Sequence, residues 1–141
     1  MIKLKEINRY TSNEFHDWQR EKLPKNFIIQ DVDTWALTIT DNDNEYEPLF
    51  LLELKRSFIP PEAWTPFKKD LPNYLALYKL AIKAKIPLLI LYFKKGEQIT
   101  NKSIFALFNV LDVNNKLSEW IQYKKILLSA EDFIEKFPNL I

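Results

Sequence analysis

The chain contains no cysteine, one glycine and one histidine. Each scarcity removes a class of chemistry. Without cysteine there are no disulfides, zinc ribbons, iron–sulfur ligands or thiol nucleophiles. A single glycine, Gly96, excludes the phosphate-binding P-loop and the dinucleotide fingerprint, which both need several glycines. A single histidine, His16, excludes multi-histidine metal sites. Nothing near His16 builds a catalytic dyad, so it reads as a surface or half-buried side chain. Long hydrophobic runs are also missing. The longest, Leu88 to Phe93, is far too short to cross a bilayer. The first residues, Met1 to Glu6, are amphipathic and unlike a leader. A soluble, intracellular, cytoplasmic protein without a membrane partner is expected. Its chemistry must rest on carboxylates, Lys, Arg, Tyr, Ser or Thr.

What is present suffices for a folded core. The 141 residues are 47% hydrophobic and 14% aromatic, which predicts one domain over residues 1–141. The net charge of +1 hides an asymmetry. Residues 26–54 hold seven acids and no base, so the rest of the chain sets 20 bases against 12 acids. An acidic pocket on a basic body suits a metal-dependent nuclease, because bases hold phosphates and acids hold cations. An acidic loop on an ordinary surface is the competing reading.

The expected elements run α, β, β, α, β, β, an ambiguous segment, then α. Ser12 is a cap candidate for a helix over about Asn13 to Lys22, with Phe15, Trp18 and Leu23 as its apolar positions. Phe27 to Thr40 and Leu49 to Arg56 read as a hairpin around the Asp41–Asn44 turn signal. A helix with Pro72 in its first turn runs to about Lys85, with Leu71, Leu75, Tyr78 and Ile82 on one face. Leu88 to Phe93 lacks polar alternation and reads as a strand buried on both faces. Strand, helix and strand in succession form the unit of a parallel crossover. Ile104 to Leu111 is a further strand, and Trp120 to Leu128 is ambiguous. Ser129 caps a short last helix. The expected class is α/β, a central mixed β-sheet flanked by helices.

Glu53-Leu54-Lys55 carries the chemistry by its location. Composition alone supplies roughly two acid-x-Lys triplets, but this one closes an otherwise apolar strand, Pro48 to Leu52. Strand alternation points Glu53 and Lys55 to one face. Buried charges there cost several kcal/mol unless they pair or bind a metal. Asp31-Val32-Asp33 interrupts the preceding apolar run, and the hairpin places Asp33 roughly opposite Glu53 or Lys55. Asp33 is preferred to Asp31 because it lies nearer Glu53. Asp33 and Glu53 suit Mg²⁺, or Mn²⁺ in its place, with the Leu54 carbonyl as a third ligand. Lys55 would orient the attacking water or neutralise the transition state. A plain salt bridge at a strand end is the alternative. Lys68, Lys69, Lys79, Lys83, Lys94 and Lys95 are either a phosphate track or solvated lysines. Trp64, between proline-containing segments, closes over the site or sits in an interface.

These residues and their order resemble the PD-(D/E)XK nuclease superfamily, which includes restriction endonucleases and Holliday junction resolvases. The resemblance covers about Ser12 to Phe93, although Asp33 follows Val32 where the motif's name has proline. It implies a restriction-endonuclease-like core and a Mg²⁺-dependent deoxyribonuclease of resolvase, restriction or homing type. It also implies an acid on the first helix, here Glu14, and a glutamine or tyrosine after the triplet, here Tyr74 or Tyr78. A domain this small suggests a homodimer or higher homo-oligomer acting on DNA. The other expectation is a nuclease-fold nucleic-acid-binding or assembly subunit without catalysis.

Overall fold

The computed structural model describes residues 9–22, 24, 31–39, 45–116, 118–137 and 139–140. The order is α1 (Arg9–Lys22), β1 (Thr34–Ile39), β2 (Tyr46–Ser57), a short 3-10 turn (Lys68–Asp70), α2 (Leu71–Ala84), β3 (Leu88–Lys94), β4 (Ile104–Val113), β5 (Ile121–Ser129) and α3 (Ala130–Lys136). The five strands form one mixed sheet in sequence order. β2 and β3 run parallel, and the other neighbouring pairs are antiparallel. No helix among the described residues is long and apolar enough to cross a membrane.

The parallel pair follows from the crossover. β3 is buried on both faces from Leu88 to Tyr92, as expected for the central strand of a covered sheet. On one face Leu51, Leu88, Ile90, Tyr92 and Phe108 pack with Tyr74, Leu77 and Ala81 of α2. On the other, Phe50, Leu52, Leu89, Leu91, Phe105 and Leu107 pack with Leu128, Ala130 and Leu140. The ambiguous segment is β5, because its backbone pairs with β4 from Ile104 to Val113. Ser129 caps α3 by accepting from the Asp132 amide at 3.0 Å.

Several expectations need correction. α1 begins before Ser12, and Phe15 and Trp18 are exposed, their rings 5.9 Å apart. Leu23 lies outside the described residues. β1 is shorter than the pattern implied: residues 31–33 precede it without strand pairing, and residues 25–30 and 40–44 lie outside the described residues. On α2 Leu71, Leu75 and Tyr78 pack partly buried against the core as expected, Tyr74, Leu77 and Ala81 are buried more deeply, and Ile82 is exposed. The helix is apolar over more than one face, so spacing alone left its rotation open. Trp64 is a core residue, stacked on Tyr92 at 4.3 Å and edge-on to Phe108.

The segment between β2 and α2 is pinned at several points. Lys125 Nζ donates to the Glu62 and Trp64 carbonyls at 3.1 and 2.9 Å. The Tyr92 hydroxyl donates to the Ile59 carbonyl at 2.6 Å and shares a hydrogen bond with Ser57 Oγ. These contacts deliver the first turn of α2 to the carboxyl ends of β2 and β3, where open α/β sheets bind ligands.

Candidate active site

The site forms where β2 runs past the start of β1. Thr34 pairs with Leu52, and the same register sets Asp33 opposite Glu53. The Leu51 amide donates to the Pro87 carbonyl at 3.0 Å, toward β3. Backbone groups alternate along a strand, so those of Leu54 face β1. Beyond Thr34 no β1 backbone remains to meet them. The Asp33 carboxylate takes that place and accepts from the Leu54 amide through Oδ2 at 3.0 Å. The Leu54 carbonyl opens on the same edge.

Glu53 is the one buried acidic side chain among the described residues, 6% exposed. Burial pushes its carboxyl up to about 7, helped by its hydrogen bond to Asp33 and by the Asp33 charge. A hydrogen bond from Asn73 and the charge of Lys55 oppose the rise. Asn73 Nδ2 donates to Glu53 Oε2. Close to neutrality the Glu53 carboxyl is thus only partly ionised.

Lys55 lies on the same face as Glu53. Its Nζ is 3.9 Å from Glu53 Oε2 and 3.8 Å from Asp70 Oδ2, and 5.3 Å from the centre of the Tyr74 ring. Asp70 occupies the N-cap of α2 yet makes no capping hydrogen bond. Its carboxylate faces the lysine instead. An open cleft of about 280 Å³ is lined by Asp33, Leu54, Lys55, Arg56 and Phe93.

The structure brings together Asp33, Glu53, the Leu54 backbone, Lys55 and Tyr74. It leaves other candidates elsewhere. The Tyr78 hydroxyl donates to the Leu111 carbonyl at 2.8 Å, against β4. Glu14 is exposed on α1, and Asp31 is exposed ahead of Asp33. Lys79 and Lys83 are exposed along α2, Lys68 and Lys69 lie on the 3-10 turn before Asp70, Lys94 ends β3 and Lys95 follows it in the turn. Asp70 and Asn73 escaped the sequence reading. The signal was there: they are polar residues of the first turn of the crossover helix, which always meets the carboxyl end of the preceding strand. Among the described residues no group of three or more His, Asp or Glu gathers in metal-holding geometry; the candidate centre is a carboxylate pair.

Tyr74 is fully buried, and its hydroxyl has no hydrogen-bond partner among the described residues. Burial, then the charges of Asp70 and Glu53, hold that hydroxyl protonated far above the usual tyrosine range. A buried donor left unpaired costs about 1–3 kcal/mol. Tyr74→Phe keeps the ring under Lys55 and removes the orphan. Chemical denaturation should find it as stable as the parent or up to about 1–2 kcal/mol more stable. A loss of more than about 1 kcal/mol would show that the hydroxyl is satisfied in solution.

No protein-family model, no curated protein and no solved structure matches the chain.

Proposed function

We propose that the protein is a Mg²⁺-dependent deoxyribonuclease with a restriction-endonuclease-like core, working as a homodimer. One observation carries the reading: Glu53, buried at the carboxyl end of a parallel strand, lies opposite Asp33 of the neighbouring segment and beside the ammonium of Lys55. The order of helix, two antiparallel strands, crossover helix and parallel strand supports it as well.

The donor set fits Mg²⁺, which binds through one or two carboxylates and keeps several waters. Asp33, Glu53 and the Leu54 carbonyl would hold it. The bound ion would neutralise charge on the scissile phosphate and lower the pKa of an attacking water. The chain's own residues do the rest. Asn73 fixes the rotamer of Glu53 by its hydrogen bond. Lys55 places positive charge where the phosphate gains negative charge. Asp70 and the Tyr74 ring aim Lys55. Water adds to phosphorus, the phosphorus–oxygen bond to the leaving group breaks, and the leaving oxygen takes up a proton.

Supercoiled DNA should be cut with Mg²⁺ or Mn²⁺ and left intact in EDTA. Ca²⁺ should support binding with little cleavage, because its looser coordination positions water poorly. Robust cleavage in excess EDTA would overturn the mechanism. One observation favours a second reading, a binding or assembly subunit without catalysis: Lys55 lies between two carboxylates, as in a structural ion-pair network. Under that reading Mg²⁺ neither raises the melting temperature nor supports cleavage.

A further inference from the structure

We propose that the cleft beside Phe93, at the carboxyl end of β3, is a subsite for an unpaired nucleotide flanking the scissile phosphate. This rests on the nuclease reading and names the form of nucleic acid it takes. The cleft has a volume of about 340 Å³, and its walls include Phe93, Lys94, Glu97 and Lys102. Phe93 also walls the cleft that holds Asp33 and Lys55, so one ring borders both clefts. Lys94 pairs with Ser57, two residues beyond Lys55 on the adjacent strand. Sheet spacing puts the Lys55 and Lys94 Cα atoms roughly 8 Å apart, the scale of one nucleotide step.

The chemistry of this region suits a single strand better than a duplex. A duplex presents a phosphate charge about every 1.7 Å of its axis and calls for a uniformly basic rim. Here Glu62 and Glu97 share the cleft with Lys94 and Lys102, and Lys94 lies 3.8 Å from Glu97. The two lysines and two glutamates of the lining balance, so Arg56 on the approach and Lys95 over Phe58 supply the net charge for one or two phosphates. Beside the cleft, at the Lys95–Gly96 turn, stands Phe58. It is 68% exposed, with Lys95 Nζ 4.6 Å from its ring centre. A large aromatic ring held open to water next to cations is the arrangement on which unpaired bases stack.

The only glycine of the chain supports that ring. Gly96 has φ of +93°, and a Cβ added there would meet Phe58 Cε1 at 3.2 Å. Both the turn and the close seat of the ring depend on its missing side chain.

The test measures binding of a fluorescent oligothymidylate and of a blunt duplex by anisotropy in EDTA, alongside cleavage of DNA in Mg²⁺. Phe58→Ala should weaken oligothymidylate binding by roughly tenfold, within the range for removing one stacking platform. Phe58→Trp should restore it. Lys102→Glu should weaken it too and flatten its salt dependence by about one phosphate contact. Neither Phe58→Ala nor Lys102→Glu should change blunt-duplex binding by more than about twofold. Parent-like oligothymidylate binding by both variants overturns the subsite, as does a parent that binds no oligothymidylate. If the parent binds through these residues but cuts no DNA, the subsite stands and the nuclease reading falls. If the parent cuts DNA and both variants bind as it does, the nuclease reading stands and the subsite falls.

Discussion

Lys55→Ala should lower Mg²⁺-dependent cleavage of supercoiled DNA by roughly two orders of magnitude or more, the usual loss for one transition-state donor. The residue is placed for that role and costs the fold little to remove. Its ammonium reaches past the buried Glu53 to the open cleft, and Asp70 and the Tyr74 ring hold it there. Without Lys55, Glu53 keeps its proton to higher pH, so no unpaired buried charge is forced on the fold. The melting temperature should therefore stay near the parent's below neutrality, and DNA binding should be retained. Asp70→Asn removes the charge that aims Lys55 and leaves Lys55 itself. It should lower turnover by roughly tenfold with substrate KM unchanged, because geometry in the transition state is what it controls. Parent-like cleavage by Lys55→Ala would make Lys55 half of a structural ion pair and remove it from the mechanism.

Asp33→Asn should abolish cleavage while stabilising the metal-free protein above neutrality. Burial holds the Glu53 carboxyl at about 7 in the folded protein, against an ordinary 4.5 in the unfolded chain. A group raised on folding contributes its stability below its unfolded pKa and loses it as pH rises through the folded value. The parent should therefore lose stability between about pH 4.5 and about pH 7, by up to about 3 kcal/mol from this group. Asparagine removes the neighbouring charge. Its carbonyl still accepts from the Leu54 amide, and its NH₂ donates to an ionised Glu53. The pH slope should flatten, and at about pH 8 the variant should be roughly 1–2 kcal/mol more stable than the parent. Mg²⁺ should reverse the order by stabilising the parent more, since a ligand that binds only the folded state raises its stability by mass action. Thermal melts across pH, with and without Mg²⁺, decide it. A destabilised Asp33→Asn with a parent-like Mg²⁺ response would make Asp33 a structural acceptor for the Leu54 amide and nothing more.

Much of the β2–α2–β3 unit was legible because its signals are local and mutually consistent. An apolar strand ends in Glu53 and Lys55, two prolines break the chain, Pro72 opens a helix, and Leu88 to Phe93 has no polar alternation. Parallel pairing follows from that order, since a crossover helix returns the chain to the same end of the sheet. The approach of Asp33 to Glu53 followed from where the hairpin turns. The β1 boundary did not, because Asp31, Val32 and Asp33 carry a strand-like pattern without a β2 partner for their backbone. The rotation of α2 was hidden for a related reason. Leu71, Leu75 and Tyr78 of the expected stripe do pack against the core, but only the sheet beneath the helix made Tyr74, Leu77 and Ala81 the most deeply buried and left Ile82 exposed.

The sequence by itself determined that chemistry here has no thiol, no histidine cluster and no glycine cradle, and that carboxylates and a lysine interrupt buried strands. Those are matters of inventory and alternation, which neighbouring residues settle among themselves. Only the tertiary structure decided which groups surround Glu53 and which aim the lysine. Asp33, Glu53, Asp70 and Asn73 come from a pre-strand segment, a strand end, a helix cap and a helix turn. Their juxtaposition depends on a hairpin register, a parallel crossover and a connection pinned by Lys125 and Tyr92. The elevated Glu53 pKa has the same origin. Desolvation and a like charge across strands come from packing, and neither is a property of Glu53 within its own strand.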